Sequence, residues 1–225
     1  MPSYSGIFTL QAQMQAIAAG TWTGIPLAIG DAYEGGYYAG QISTAGNGVA
    51  DYNLVVGPLS TAQTTNTQWK NANTATTGAD SVIDGPQNTS DMVADGNSTV
   101  YPAAHFCNNL TIGGFSDWYF PAKNELEVCY YNLKPTTANN NTSGGTNTNA
   151  VPSRGSNYTT GDPSQTSATA FVTGTGGERF TDINYWSSTD YSATTALTHS
   201  FGYGLQINRN KASFYSIRAV RRVAV

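Results

Sequence analysis

The imidazoles and thiols of this chain are few: His105 and His199, Cys107 and Cys129. None of their spacings matches a zinc-ligand pattern, which needs close Cys or His pairs repeated along the chain. His105 falls within a predicted helix and reads as a partly exposed or satisfied helix residue. Both cysteines lie on apolar helix stripes; they could pair, but that placement favours small buried hydrophobes. Asp80, Asp84, Asp91 and Asp95 could converge on a cation through oxygen ligands. Acidic residues in a polar stretch are more commonly solvated, and neither a metal nor any other cofactor is assigned. Glu125 and Glu127 sit near the start of a predicted helix, where they read as partners of its positive end and not as catalytic acids. No Ser-His-Asp order, phosphate-binding loop or paired-carboxylate motif is found, so the expectation is a protein without enzymatic activity.

The elements that would carry such residues follow from composition and periodicity. With 225 residues the chain can bury a substantial core without metals or bridges. Charged residues make up 11% of it, against roughly 25% in an average soluble domain, and Gly, Thr, Ser and Asn fill the gap. That composition suits an extracellular or virion surface. A formal charge of −4 argues against nucleic acid, which needs clustered Lys and Arg. The opening Met1-Pro2-Ser3-Tyr4 lacks a basic stretch followed by an apolar core, and no apolar run approaches the ~18 residues of a membrane span. A product made in a host cytoplasm, without signal peptide or membrane insertion, is expected.

Residues 5–20 read as a short amphipathic helix with Thr9 as N-cap and Gly20 at its end. Its apolar stripe could pack on the same chain or dock to another virion protein, and residues 1–27 are assigned as an attachment and oligomerisation segment. The main domain is placed at 28–225. Tyr37 to Ile42 and Asp51 to Val56 flank Gly46-Asn47-Gly48 as a hairpin. Residues 60–99 read as loop. Ala103, Phe106, Cys107 and Leu110 mark one helix; Leu126, Cys129, Tyr130 and Leu133 mark a second, opened by Pro121 and closed by Lys134-Pro135. Residues 136–170 are low in complexity and read as a long surface loop. Strands return from Tyr185, with Gly202-Tyr203-Gly204 as a turn and a β-rich run from Tyr215 to Val223.

Two stretches carry a recognisable pattern. The run from Gly114 through Asp117-Trp118-Tyr119-Phe120-Pro121-Ala122 to Leu126 resembles the strand-to-helix signature of the DUF1566 family, also called the Lcl C-terminal domain family. Tyr185-Trp186-Ser187-Ser188-Thr189, Phe201, Gly204, Lys211 and Ile217 through Arg222 resemble its C-terminal half, and Ile29-Gly30-Asp31 to Tyr38 extends the likeness over most of 28–225. The resemblance implies an α+β, C-type-lectin-like fold: two helices beside a twisted antiparallel sheet, with long surface loops. It also implies an exposed virion part, and some relatives are variable proteins of diversity-generating retroelements. Projected on this chain, the framework is Tyr185, Trp186, Ser187, Ser188, Ala193, Ala196, Phe201, Gly204, Lys211 and residues 218–222. The ligand-facing positions are then Tyr191, Thr194, Thr195, His199, Tyr203, Leu205, Ile207, Asn208, Arg209 and Phe214, a mixture of stiff aromatics and adaptable polar groups like that of a paratope. For Leu205, Ile207 and Phe214 core packing is an equal alternative.

Relative to that likeness, the Glu-Pro-Asn or Gln-Pro-Asp triplet and the Trp-Asn-Asp element of calcium-dependent lectins are absent. The two cysteines also depart from the copper-binding pair of formylglycine-generating enzymes, which share the broad fold. The expected function is a phage virion surface protein, a tail-fibre or adhesin subunit, that attaches to a host cell-surface glycan or protein. It is expected as a homo-oligomer, preferably a trimer, joined to other virion proteins by its N-terminal segment. The alternatives are a structural decoration or connector protein of the particle, and a bacterial surface adhesin.

Overall fold

The computed structural model describes residues 27–225. The helix read at 5–20 lies outside them. A first sheet has the order β1 (Ala32–Tyr33), β2 (Gly36–Ile42), β3 (Tyr52–Val56) and β10 (Val220–Ala224), with β5 (Ala150–Val151) also pairing with β2. The second sheet has the order β4 (Gln63–Gln68), β9 (Phe214–Arg218), β6 (Asn184–Asp190), β7 (Thr195–Ser200) and β8 (Gln206–Asn210). All pairings are antiparallel except β6 with β9. Among the described residues there are four α-helices: α1 (Leu59–Ala62), α2 (Gly85–Asp95), α3 (Pro102–Asn108) and α4 (Lys123–Leu133). None is long and apolar enough to cross a membrane.

The β2–β3 hairpin forms where the alternating pattern places it. Its register slips between Tyr38 and Gly40, and the slip fits the helix above. A Cβ on Gly40 would lie 2.4 Å from Asn132 Nδ2 on α4, the amide that donates to Ala39 O at 2.8 Å. Only glycine admits that approach, at a φ of +125°.

The sequence reading of 60–99 as loop is corrected: this stretch holds most of α1, all of β4, and α2. The α2 helix has Asp84 as its N-cap, accepting from Gln87 N at 3.3 Å, and Pro86 in its first turn. It buries Gly85, Asn88, Thr89 and Met92. Three of those four are small or polar, so no apolar stripe marked the helix. The α3 helix stops at Asn108, which leaves Leu110 beyond it. The run from Tyr215 breaks at Ala219 into β9 and β10, which belong to different sheets.

Two buried clusters flank the second sheet. One joins Leu126, Cys129, Tyr130 and Leu133 of α4 to Ala39, Ile42 and Leu54 of the first sheet and to Tyr185 and Phe201. The other joins Met92, Ala103 and Cys107 to Trp69, Trp118, Trp186 and Ile217. Trp69 Nε1 donates to Ser187 O at 2.9 Å and Trp186 Nε1 to Thr67 O at 3.1 Å, so both indoles meet the hydrogen-bonding demand of burial.

The α4 helix is enclosed, burying Glu125 and Glu127 together with its apolar stripe. Glu125 accepts from Ala122 N at 2.8 Å, Gly85 N at 3.2 Å, Arg222 Nε at 2.8 Å and the Tyr119 hydroxyl. Burial raises its carboxyl above the ordinary range, and Arg222 opposes that rise. Glu127 accepts from Tyr158 OH at 2.7 Å and Asn147 Nδ2 at 2.5 Å, and pairs with Arg154. The helix-dipole reading thus accounts for only part of Glu125 and misses Glu127, whose partners come from the distant 136–170 stretch.

That stretch is also corrected. Most of it is exposed and irregular, as a surface loop would be, yet Asn140, Asn147, Asn149, Ala150 and Tyr158 are buried within it and tie it down. Asn140 Oδ1 accepts from Tyr130 OH at 2.6 Å and Lys134 Nζ at 2.7 Å, while its Nδ2 donates to Pro163 O at 2.9 Å. Asn147 Nδ2 donates to Asn124 O at 2.8 Å, and Asn149 Nδ2 to Ser43 O at 2.8 Å. Each amide carries donors and acceptors, so asparagines replace the missing ladder. Removing a buried acceptor strands its donors. Glu127→Ala is therefore expected to lower the unfolding free energy by about 3–5 kcal/mol, the usual cost of breaking a buried ion pair. Urea denaturation at neutral pH measures it, with limited proteolysis between residues 140 and 160 as the local readout.

Candidate ligand-binding groove

The sequence-derived candidates ride on β7, β8 and the turns around them. The β7–β8 register pairs Ala196 with Arg209, Leu197 with Asn208, Thr198 with Ile207 and His199 with Gln206. Directly paired residues share a face. His199 and Gln206 therefore turn toward α4, and Ala196, Thr198, Ile207 and Arg209 toward the side of Trp186.

The register distributes the candidates over four places. Tyr191 and Thr194 are exposed on the β6–β7 turn, with Thr195 half-buried beside them. Lys211 shapes that turn: its amide donates to Thr194 O at 3.0 Å, and its buried ammonium meets Asp190 Oδ2 at 2.8 Å and Ala193 O at 3.4 Å. Ala193, expected as framework, is exposed, because Lys211 holds its carbonyl and not its side chain. Leu205, Ile207, Asn208 and Arg209 are half-buried along the β8 edge. Asn208 Nδ2 reaches Thr195 Oγ1 at 3.5 Å, while Arg209 Nε is buried without a partner among the described residues.

His199 is corrected. It is 2% exposed, with its ring 4.7 Å from that of Tyr130 and 5.7 Å from that of Phe201. Neither ring nitrogen has a partner among the described residues. It sits beneath the sheet because strand alternation turns it toward α4, so it is an interior residue and no ligand-facing one.

Tyr203 and Phe214 occupy the fourth place, at the far end of β7 from Tyr191. Over the six residues of β7 that separation is about 20 Å. Gly204 holds the Tyr203 turn with a φ of +75°, and a Cβ there would lie 2.8 Å from the Tyr130 ring. Tyr203 and Phe214, at 45% and 55% exposed, line an open groove of about 450 Å³. The β4 bulge supplies Thr65 and Asn66, the segment before β6 supplies Asp182 and Ile183, and Asn184, Ser200, Tyr215 and Ser216 complete the lining. Ile183 is 44% exposed. Phe214 is therefore a surface residue, and the core alternative for it falls.

Asn66, Asp182 and Ile183 escaped the sequence reading. Asn66 has a left-handed φ of +55°, which asparagine tolerates better than most residues. Its position among alternating polar residues gives no sign of a bulge.

The four aspartates do not converge. Asp84 caps α2, Asp91 accepts from Gln87 Nε2 at 2.8 Å, and Asp95 accepts from Tyr101 OH. Among the described residues no group of three or more His, Cys, Asp or Glu side chains could hold a metal ion. Cys107 and Cys129 are free thiols in separate core clusters, and burial pushes both up.

The chain is thus a mixed α+β domain with a multiply hydrogen-bonded interior, and two of the three aromatics exposed among the described residues, Tyr203 and Phe214, line one groove. The Lcl C-terminal domain model matches residues 60–221, and the chain belongs to that family. The match starts after Ile29-Gly30-Asp31, so the likeness of that opening stays outside it. A search of curated proteins finds no match. Membership in the family suggests a surface-associated protein of phage or bacteria.

Burial brings the His199 imidazole down to about 3, from about 6.5 when unfolded. Between those values the unfolded chain takes up a proton that the folded chain refuses. Stability from this group is therefore complete above pH 6.5 and falls as pH drops toward 3, by up to ~1.4 kcal/mol per pH unit. Urea midpoints measured for wild type and His199→Leu should diverge through that window, with the variant's curve the flatter.

Proposed function

We propose that this protein is a virion surface protein, a tail-fibre or adhesin subunit, that binds a host cell-surface glycan or protein through its groove. One observation carries the reading. Of the seven large hydrophobic side chains exposed among the described residues, Ile183, Tyr203 and Phe214 come from three separate segments to one groove. Stiff aromatics at a groove give contact area at small entropic cost. The composition, poor in charge and rich in Thr, Asn and Gly, suits an exposed particle surface. Helices packed on both faces of a twisted sheet, with a long non-regular segment tied over one helix, support a C-type-lectin-like fold.

A single groove of this kind binds weakly, and display in several copies supplies avidity. We take the working form to be a homo-oligomer, a trimer by analogy with fibres, attached to other virion proteins through residues 1–27. We take it to act by binding; the burial of its thiols in separate clusters counts against thiol-dependent oxidation. Native protein is accordingly expected to leave Ellman's reagent unreacted, and denatured protein to titrate two thiols. A thiol reacting rapidly in the native state would reopen the oxidase-type reading.

Fluorescently labelled protein applied to a panel of candidate hosts tests the main proposal. Host-restricted binding is expected, with the double variant Tyr203→Ala, Phe214→Ala weakened at least ~10-fold, as for interface anchors. Tyr191→Ala, some 20 Å away along β7, should bind nearly as wild type. If the folded oligomer binds no host, the decoration or connector role takes precedence.

A further inference from the structure

The charge and hydrogen-bonding character of the groove specify its ligand more narrowly than exposure does. The inference rests on the receptor-binding reading. No Lys, Arg or His lines the groove, and its one ionisable acid is Asp182, an exposed carboxylate with no ion pair among the described residues. Four cations of the C-terminal half are committed to ion pairs elsewhere. Lys211 pairs with Asp190, Arg218 with Glu178, Arg221 with Asp117 and Arg222 with Glu125. A sulfate, phosphate or carboxylate entering here would meet a like charge and no cation in the lining.

The remaining lining alternates two kinds of surface. Phe214, Tyr203 and Ile183 present apolar area, and Asn66 and Asn184 present amides that both donate and accept. A pyranose has the same alternation: a patch of C–H groups on one ring face, and a rim of hydroxyls that each donate and accept. Asp182 supplies an acceptor pair to which neighbouring hydroxyls can donate, and such charge-assisted bonds are stronger than neutral ones. The volume of about 450 Å³ lies within the ~300–1,000 Å³ of small-ligand sites. Asn66 reaches the groove through the β4 bulge, a device common beside binding sites.

We propose that the groove binds an uncharged pyranose of a host surface glycan, using Phe214 and Tyr203 as the stacking platform and Asp182 as the hydroxyl acceptor. The ligand then needs no metal ion and carries no sulfate, phosphate or sialic acid where it enters the groove.

The test uses the full-length oligomer on immobilised neutral, sialylated and sulfated glycans, and on host cells treated with mild periodate, which cleaves vicinal diols. Binding confined to neutral glycans and lost after periodate is expected. So is a loss of ~10-fold or more for Phe214→Ala and a smaller loss for Asp182→Asn, with folding checked by circular dichroism. Retention of host binding in a chelator is part of the same expectation. Preference for sialylated or sulfated glycans overturns the inference and leaves receptor binding standing. The same holds if cell binding survives periodate and is lost on protease treatment, which would make the ligand a protein. Binding to neither cells nor glycans overturns both.

Discussion

A carboxylate taken out of water must be surrounded by donors, and α4 carries two such groups two residues apart. Glu125 gathers the start of α2, the amide of its own N-cap, Tyr119 and Arg222 of β10. Glu127 gathers Arg154, Tyr158 and Asn147 from the segment beyond the helix. Each acid needs all its partners at once, because a half-satisfied buried charge costs more than an apolar replacement. That requirement fixes the C-terminal strand and the 136–170 segment on the same helix.

The basic residues near the C-terminus answer the same demand from the other side. Arg218 is fully buried, with Nε donating to Gly57 O at 2.7 Å and its terminal nitrogens to Glu178 O and Oε2. Burial brings its guanidinium down to about 10, and Glu178 opposes the shift. Glu178 Oε2 also accepts from Leu59 N at 2.6 Å, so one carboxylate joins the start of α1 to β9. Arg221 spans Asp117 and the carbonyl of Glu34 with its guanidinium 3.9 Å from the Phe115 ring centroid. Four of the five cations from Arg209 to Arg222 are thus held in ion pairs within the fold.

A scaffold held in this way positions loops without needing them to be regular. Lys211 shapes the Tyr191 turn from beneath, and the contact of Gly204 with Tyr130 seats the Tyr203 turn on α4. The groove forms where β6 and β9 begin and β7 ends, so its walls come from segments nearly 150 residues apart in sequence, from Thr65 to Phe214. On the proposed receptor-binding reading, walls tied down by buried hydrogen bonds would reduce the ordering cost of binding.

By itself the sequence determined the features that rest on short spacings. Alternation located β2 and β3; a 3.6-residue apolar stripe located α4 and most of α3; the motifs from Gly114 to Leu126 and from Tyr185 to Arg222 identified the family. It also named Tyr203 and Phe214, two aromatics that do line the groove. Tertiary structure decided whatever depends on what lies opposite a residue. The α2 helix buries Asn88 and Thr89 where a stripe was sought, because its neighbours supply polar partners: Asn88 Nδ2 reaches Ser188 Oγ at 3.1 Å and Thr89 Oγ1 accepts from Phe120 N at 3.0 Å. Residues 136–170 read as solvated because asparagine looks the same in sequence whether it faces water or a buried carbonyl. His199 lies inside although its neighbours in sequence reach the surface, since the face a strand buries is set by the helix packed on it. Asp182 and Asn66 come to line one groove only because the β4 bulge and the segment before β6 meet across the sheet, a proximity that no local pattern encodes.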